Sequence, residues 1–355
     1  MPWLASKAWP TSRPTSRPLL KSTSPPLQRH LHLAPPFLLD DYTPRYQLLS
    51  LLEASRKRSA AYAHLKNCNL CPRRCGVNRW ETTGVCLIGA ETAKVNVIAP
   101  HFGEEPCIQG HNGSGSVFFS GCNLRCVFCQ NHDIAHQRNG FDATPEELAG
   151  WYMKLQDVGK VHNINLITPE HVVPQVVLSV LHAKDMGLRL PIVWTKASSK
   201  RLLKAEDYAS AAMESIKAMH AQVGDLCFTP DGIAKKGLLL RHLVMPGKET
   251  EGQEIMRWLG DNISRDIFVN IMEQYHPDAH VGKPSRSSRP PSGLGSMQES
   301  SGSDPGGGPL SNSSARYSEI NRTVTGEEIS SVRTAAEHAG LWRFCDPVRH
   351  DGFNL

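Results

Sequence analysis

Eight of the ten cysteines in this 355-residue chain lie between Cys68 and Cys129, and no other feature narrows its fold as much. Thiols packed that densely either pair as disulfides or hold metal. The N-terminal stretch carries no apolar run of the ~7–15 residues that a secretory signal requires, so the spacing is read as metal ligation in a reducing compartment. The chain is expected to be intracellular, in the cytoplasm or the mitochondrial matrix, and not secreted.

The cysteines form two sets. Cys68, Cys71, Cys75 and Cys86, in CNLCPRRCGVNRWETTGVC, include one C-x2-C pair and suit a four-thiolate site for zinc or an iron–sulfur cluster. Cys122, Cys126 and Cys129, in FFSGCNLRCVFCQN, form a C-x3-C-x2-C run directly after an apolar strand-like segment. Three thiolates on one tight loop can converge on a single cluster. Full ligation of a 4Fe-4S cluster takes four cysteines, so a loop offering three leaves one iron for another ligand. A ferredoxin run, C-x2-C-x2-C with a further cysteine close behind, is a different pattern. The competing use of the same three thiols is a zinc knuckle. Cys107 is a spare ligand, and Cys227 and Cys345 read as buried or incidental thiols.

Around these sets the chain alternates. Residues 42–66 read as a helical lead-in, with Leu48, Leu49, Leu51 and Leu52 on overlapping faces. Apolar, β-branched runs at 116–121, 163–168, 191–194, 238–246 and 266–273 are followed by helical patterns at 144–158, 172–187, 203–223, 250–262 and 325–340. Such alternation predicts parallel strands in βα units, as in a complete or partial barrel. Thr144 and Glu147 form a capping box at the first of these helices.

Charge locates the tail. The chain carries 39 Lys and Arg against 34 Asp and Glu, a formal charge of +5. Lys7, Arg13, Arg17, Lys21 and Arg29 all precede the first acid, Asp40, so the remainder is neutral and an acidic partner such as nucleic acid is not expected. Residues 1–41 are either a transit peptide or a disordered extension. Residues 282–315 are 23 Ser, Gly and Pro out of 34, which predicts a disordered insertion. No apolar run approaches the ~18–20 residues of a membrane-spanning helix, so no membrane partner is expected. The remaining divisions are 42–110, lead-in and four-cysteine knuckle; 111–281, core; and 316–355, last helix and tail of that core.

The C-x3-C-x2-C loop with Phe128 before its last cysteine resembles the radical S-adenosylmethionine (SAM) superfamily. The words GSGSVFFSGCNLRCVFCQN, NINLITPEHVVP, GLLLRHLVMPG and VNIMEQY are similar to the branch of pyruvate formate-lyase-activating enzymes, across about residues 68–281 and 316–340. The resemblance implies an α/β partial barrel with a cysteine-rich N-terminal knuckle. It also implies a 4Fe-4S cluster on Cys122, Cys126 and Cys129 whose open iron takes SAM. One electron then cleaves SAM to a 5′-deoxyadenosyl radical that abstracts hydrogen, the hard chemistry being the cofactor's. Implied partners are SAM, an electron donor and a protein substrate on which a glycyl radical is installed.

Residue by residue, Glu170 matches the acid of the family's Gly-Gly-Glu motif that holds the SAM amino group, although Thr168 and Pro169 replace the glycines. Its alternative use is as a helix N-terminal acid. Arg241 matches a position that approaches SAM, and a charge in so apolar a run needs a partner. Asn131 matches a site-facing position or is a solvated turn residue, and His276 matches a family histidine or is a surface one. Phe128 belongs to the cofactor loop. One departure stands out: only TKASSKR separates 191–194 from the next helix, where relatives carry a further βα unit and an Asp-x-Lys strand. A barrel short of one stave, with an exposed strand edge or gap, is therefore expected. That departure favours the alternative of a catalytically degenerate metal-binding protein.

Overall fold

The structure, a computed structural model, describes residues 35–71, 73–123, 126–195, 208–283 and 315–345. The N-terminal extension apart from residues 35–41, the shortened interval after 195, residues 284–314 of the Ser/Gly/Pro insertion and the extreme C-terminus lie outside the described residues.

Helix α1 (Leu51–Ala63) opens the chain on a Ser50–Glu53 capping box. The strands and helices that follow are β1 (Ala93–His101), α2 (Pro106–Gln109), β2 (Ser114–Phe119), α3 (His132–Gln137), β3 (Phe141–Ala143) and α4 (Pro145–Asp157). Then come β4 (Ile164–Ile167), α5 (Val173–Asp185), β5 (Ile192–Thr195), α6 (Tyr208–Val223), β6 (Cys227–Phe228), β7 (Ala234–Lys236) and β8 (Leu239–Leu243). The chain closes with α7 (Glu249–Asn262), β9 (Phe268–Met272), α8 (Gly326–His338) and β10 (Arg343–Phe344). All five expected strands form, and the expected capping box of Thr144 and Glu147 starts α4.

These strands make an α/β protein of mixed sheets with no closed barrel among the described residues. A five-stranded sheet runs β3-β1-β2-β4-β5, a three-stranded sheet runs β10-β9-β8, and β6 and β7 form a hairpin. The pairs β2–β4, β4–β5 and β8–β9 are parallel, as βα units require. The sequence pattern did not announce β1, which pairs antiparallel with both β2 and β3. Among the described residues no strand joins β5 to β8, where the short interval falls.

Each parallel strand buries one face under helices. Ile164 and Leu166 of β4 pack with Leu148, Tyr152 and Leu155 of α4 and Val176 of α5. Val269 of β9 packs with Met256 and Leu259 of α7 and with Val332 and Ala336 of α8. Alternation sends the intervening residues to the other face. There Val193 and Leu239 meet Phe268, Phe228 and Ile108, so an apolar layer spans the two sheets. A polar layer accompanies it: Thr195 donates to Asn165 at 3.0 Å, and Asn165 donates to Glu104 at 3.1 Å. By contrast, Leu48, Leu51 and Leu52 of the lead-in are exposed.

Candidate metal centre

The three-cysteine loop leaves the C-terminal end of β2, the end at which parallel βα structures gather their functional loops. Gly121 makes the exit possible. It holds φ +76°, and a Cβ there would stand 2.6 Å from the Cys86 carbonyl oxygen. The loop thus lies directly on the second cysteine set. Asn123 bridges the two: its side chain takes a weak bond from Cys122 Sγ at 3.8 Å and also hydrogen-bonds Cys71. Arg73 Nε donates to the Asn123 carbonyl at 2.9 Å.

Loops from the other parallel strands close over this one. Val127 and Phe128 pack with Met245 after β8 and with Tyr275 and Val281 after β9. Phe128 therefore belongs to a small apolar core, its ring centroid 5.9 Å from that of Tyr275. The α3 segment is tied to the loop by Gly121 N–H donating to the Ile134 carbonyl at 3.2 Å.

Burial pushes the Cys126 thiol up to about 12, with the neighbouring Cys122 and Cys129 adding to the effect. Burial likewise raises Cys129, Cys71 and Cys86. Backbone N–H groups work in the opposite direction, that of Asn131 on Cys129 and that of Ile88 on Cys86. Metal-free, these thiols stay protonated at neutral pH, and binding metal must displace the protons. In both sets, amides already aimed at sulfur would stabilise the thiolates so formed.

Among the described residues, the one set of three metal-ligating side chains whose donor atoms all lie within 4.8 Å of one another is His132, His136 and His280. Cys122, Cys126 and Cys129 pack together in one small cluster with Ala135 and Ala212. Three thiols gathered on one loop are a donor set for an iron–sulfur cluster, in which each binds its own iron. The four-cysteine knuckle has the donor set for a closed site, with Cys75 Sγ drawn in so tightly that a Cβ on Gly84 would lie 3.0 Å from it.

The other expected residues are placed as follows. Glu170 begins a single 3-10 turn after β4 and is half-buried, and the next residue, His171, hydrogen-bonds the Ser120 carbonyl at 2.8 Å where β2 runs into the loop. Thr168 before it keeps a left-handed φ of +52° even though it is not glycine. Asn131 is the exposed N-cap residue of α3 and reaches Cys129 through its backbone. His276 is exposed. Arg241 has the partner its apolar strand called for, but it is a protein carboxylate pair: Nε donates to Glu105 at 2.6 Å and Nη2 bonds both Glu104 and Glu105. Asn270 also donates to Glu105, at 2.7 Å. Burial acts to raise the Glu105 carboxyl, yet Arg241 and Asn270 outweigh it and hold it below the usual range. Cys107 and Cys345 sit in the apolar layer between the sheets, and burial raises the Cys107 thiol.

Sequence reasoning missed Arg79. Its buried guanidinium donates to the carbonyls of Ile88 at 3.0 Å, Gly89 at 2.7 Å and His171 at 2.6 Å. It clamps the knuckle to the turn that carries Glu170. A lone arginine inside a basic-looking loop gives no sign that one of its three carbonyls comes from His171, 92 residues away.

No protein-family model matches the chain, and no solved structure does. The chain is 27% identical over 256 residues to an uncharacterized protein of Methanocaldococcus jannaschii, spanning 60% of this chain and 67% of that relative. Among the described residues no helix is long and apolar enough to cross a membrane.

Proposed function

We propose that this protein is a radical SAM enzyme of the branch similar to pyruvate formate-lyase-activating enzymes, built on a partial barrel. The observation that carries the reading is the convergence of Cys122, Cys126 and Cys129 on one loop at the C-terminal end of a parallel strand, covered by the loops after β8 and β9. A 4Fe-4S cluster bound there supplies the electron for reductive cleavage of SAM and hence for hydrogen abstraction from a substrate.

The chain's own residues bind, position and exclude water. Cys122, Cys126 and Cys129 give up their protons to ligate, the Asn131 N–H steadies the Cys129 sulfur, and Val127 and Phe128 with Tyr275 shield the loop on its apolar side. Glu170, on the turn that Arg79 ties to the knuckle and that His171 ties to Ser120, is the acceptor for the SAM amino group. Arg241 acts through Glu104 and Glu105, pairing with both buried acids between the sheets. The four-cysteine knuckle is a second metal site that supports the first loop from below, through Gly121 and Asn123.

The test is anaerobic reconstitution of the full chain with iron and sulfide. Adding SAM should perturb the electron paramagnetic resonance signal of the reduced protein, since an iron that no cysteine holds would be open to it. A signal that SAM leaves unchanged contradicts the reading. The short interval after β5, with no strand joining β5 to β8 among the described residues, favours a second reading, a metal-binding protein that keeps both cysteine sets without cleaving SAM. That reading predicts a bound cluster and no response to SAM.

A further inference from the structure

We propose that His132, His136 and His280 form a separate metal site that holds one divalent transition-metal ion through three imidazole nitrogens. All three side chains are half-buried, and one ring nitrogen from each lies within 4.8 Å of the other two. His132 and His136 stand at i and i+4 on α3, the spacing that sets two imidazoles on one helix face as a chelating pair. Their rings stack with centroids 4.3 Å apart. His280 approaches edge-on from the loop after β9, its centroid 5.4 Å from that of His132 and 5.8 Å from that of His136. The backbone fixes that approach, since the His280 N–H donates to the Val127 carbonyl at 2.9 Å.

The chemistry selects the ion. Imidazole donors suit zinc, iron, nickel and copper, whereas calcium and magnesium want oxygen. Nitrogens at ~2.0–2.1 Å from a tetrahedral ion stand roughly 3.3 Å apart, so small rotations of the three rings close the present spacing. Three protein ligands leave a fourth position for water or a substrate anion, the open form of such sites. The ion would also pin α3 to the loop after β9, the two segments that bring Asp133 and Asp278 beside Cys129. None of the three histidines belongs to either cysteine set, so the site stands or falls apart from the SAM reading.

The probe is cobalt(II), titrated into the full chain after loading of the cysteine sites, and into the same preparation of a His132→Ala, His280→Ala variant. The wild type should take up one more ion per chain, and the difference spectrum should carry d–d bands without thiolate-to-metal charge transfer. Equal uptake by the two proteins, or a difference spectrum dominated by thiolate charge transfer, overturns the proposal. Should the double variant fail to fold, His136→Gln replaces it, with an expected loss of at least tenfold in cobalt affinity. An unchanged affinity overturns the proposal equally. Because the readout is a difference between proteins with intact cysteines, it holds whether or not SAM is cleaved.

Discussion

Gly121 excludes a side chain twice over. Its φ of +76° disfavours any L-residue, and the Cys86 carbonyl occupies the space a Cβ would need. Gly121→Ala should therefore destabilise the fold by about 1–3 kcal/mol and lower metal content at both cysteine sets. Urea unfolding and metal analysis check this, and full metal content in the variant would separate the loop from the knuckle. Thr168 presents the reverse case. A β-branched residue at φ +52° is strained, and the bend it makes is one a glycine accepts without cost in sterics. Thr168→Gly should raise stability by roughly 0.5–1 kcal/mol, the relief of strain exceeding the entropy lost. A variant less stable than wild type would mean that the Thr168 side chain makes a contact worth more than the strain.

At the scale of elements, helix starts follow local chemistry. Thr144 accepts from the Glu147 N–H and Glu147 accepts from the Thr144 N–H, so Thr144→Ala should cost about 1 kcal/mol in denaturant unfolding. An unchanged midpoint would show α4 to be held by its burial alone. Local signals of this kind, with the apolar runs of β2, β4, β5, β8 and β9, were legible because each depends on residues a few positions apart. The antiparallel strand β1 was not. Its AKVNVIAPH run mixes faces, and what makes it a strand is pairing with β2 and β3 on either side. The three cysteines were legible as a loop and as a donor set. The polar company was not, since Arg79 with His171, Glu105 with Arg241 and His136 with His280 join positions far apart in the chain. Arg241 shows the limit most plainly: the need for a partner was readable from its apolar strand, but not that Glu104 and Glu105 meet it.

At the scale of the molecule, two sheets face one another through an apolar layer and a polar one, and among the described residues no strand pairs β5 with β8. Buried neutral histidines make this body acid-sensitive. Burial, followed in smaller part by the charge of Arg79, lowers His171 to about 4, and burial lowers His242 to about 4 as well. With the folded value below the unfolded one, the unfolded chain binds more protons between about pH 6.5 and 4. Stability is complete above that window and falls as pH drops through it, by up to about 3 kcal/mol for His171. Urea midpoints at pH 7 and pH 5 should differ accordingly, and His171→Gln should shrink the difference. Equal midpoints would place the protonated ring in the folded state.

The most direct measurement concerns the loop at the end of β2. The full chain, reconstituted anaerobically and reduced in the presence of SAM, is assayed for 5′-deoxyadenosine beside a Cys122→Ala, Cys126→Ala, Cys129→Ala variant that retains the four-cysteine knuckle. The expected result is 5′-deoxyadenosine from the wild type and none from the variant. A wild type that holds its cluster and yields no 5′-deoxyadenosine, or a variant that yields as much, would contradict the assignment of those three thiols to SAM cleavage.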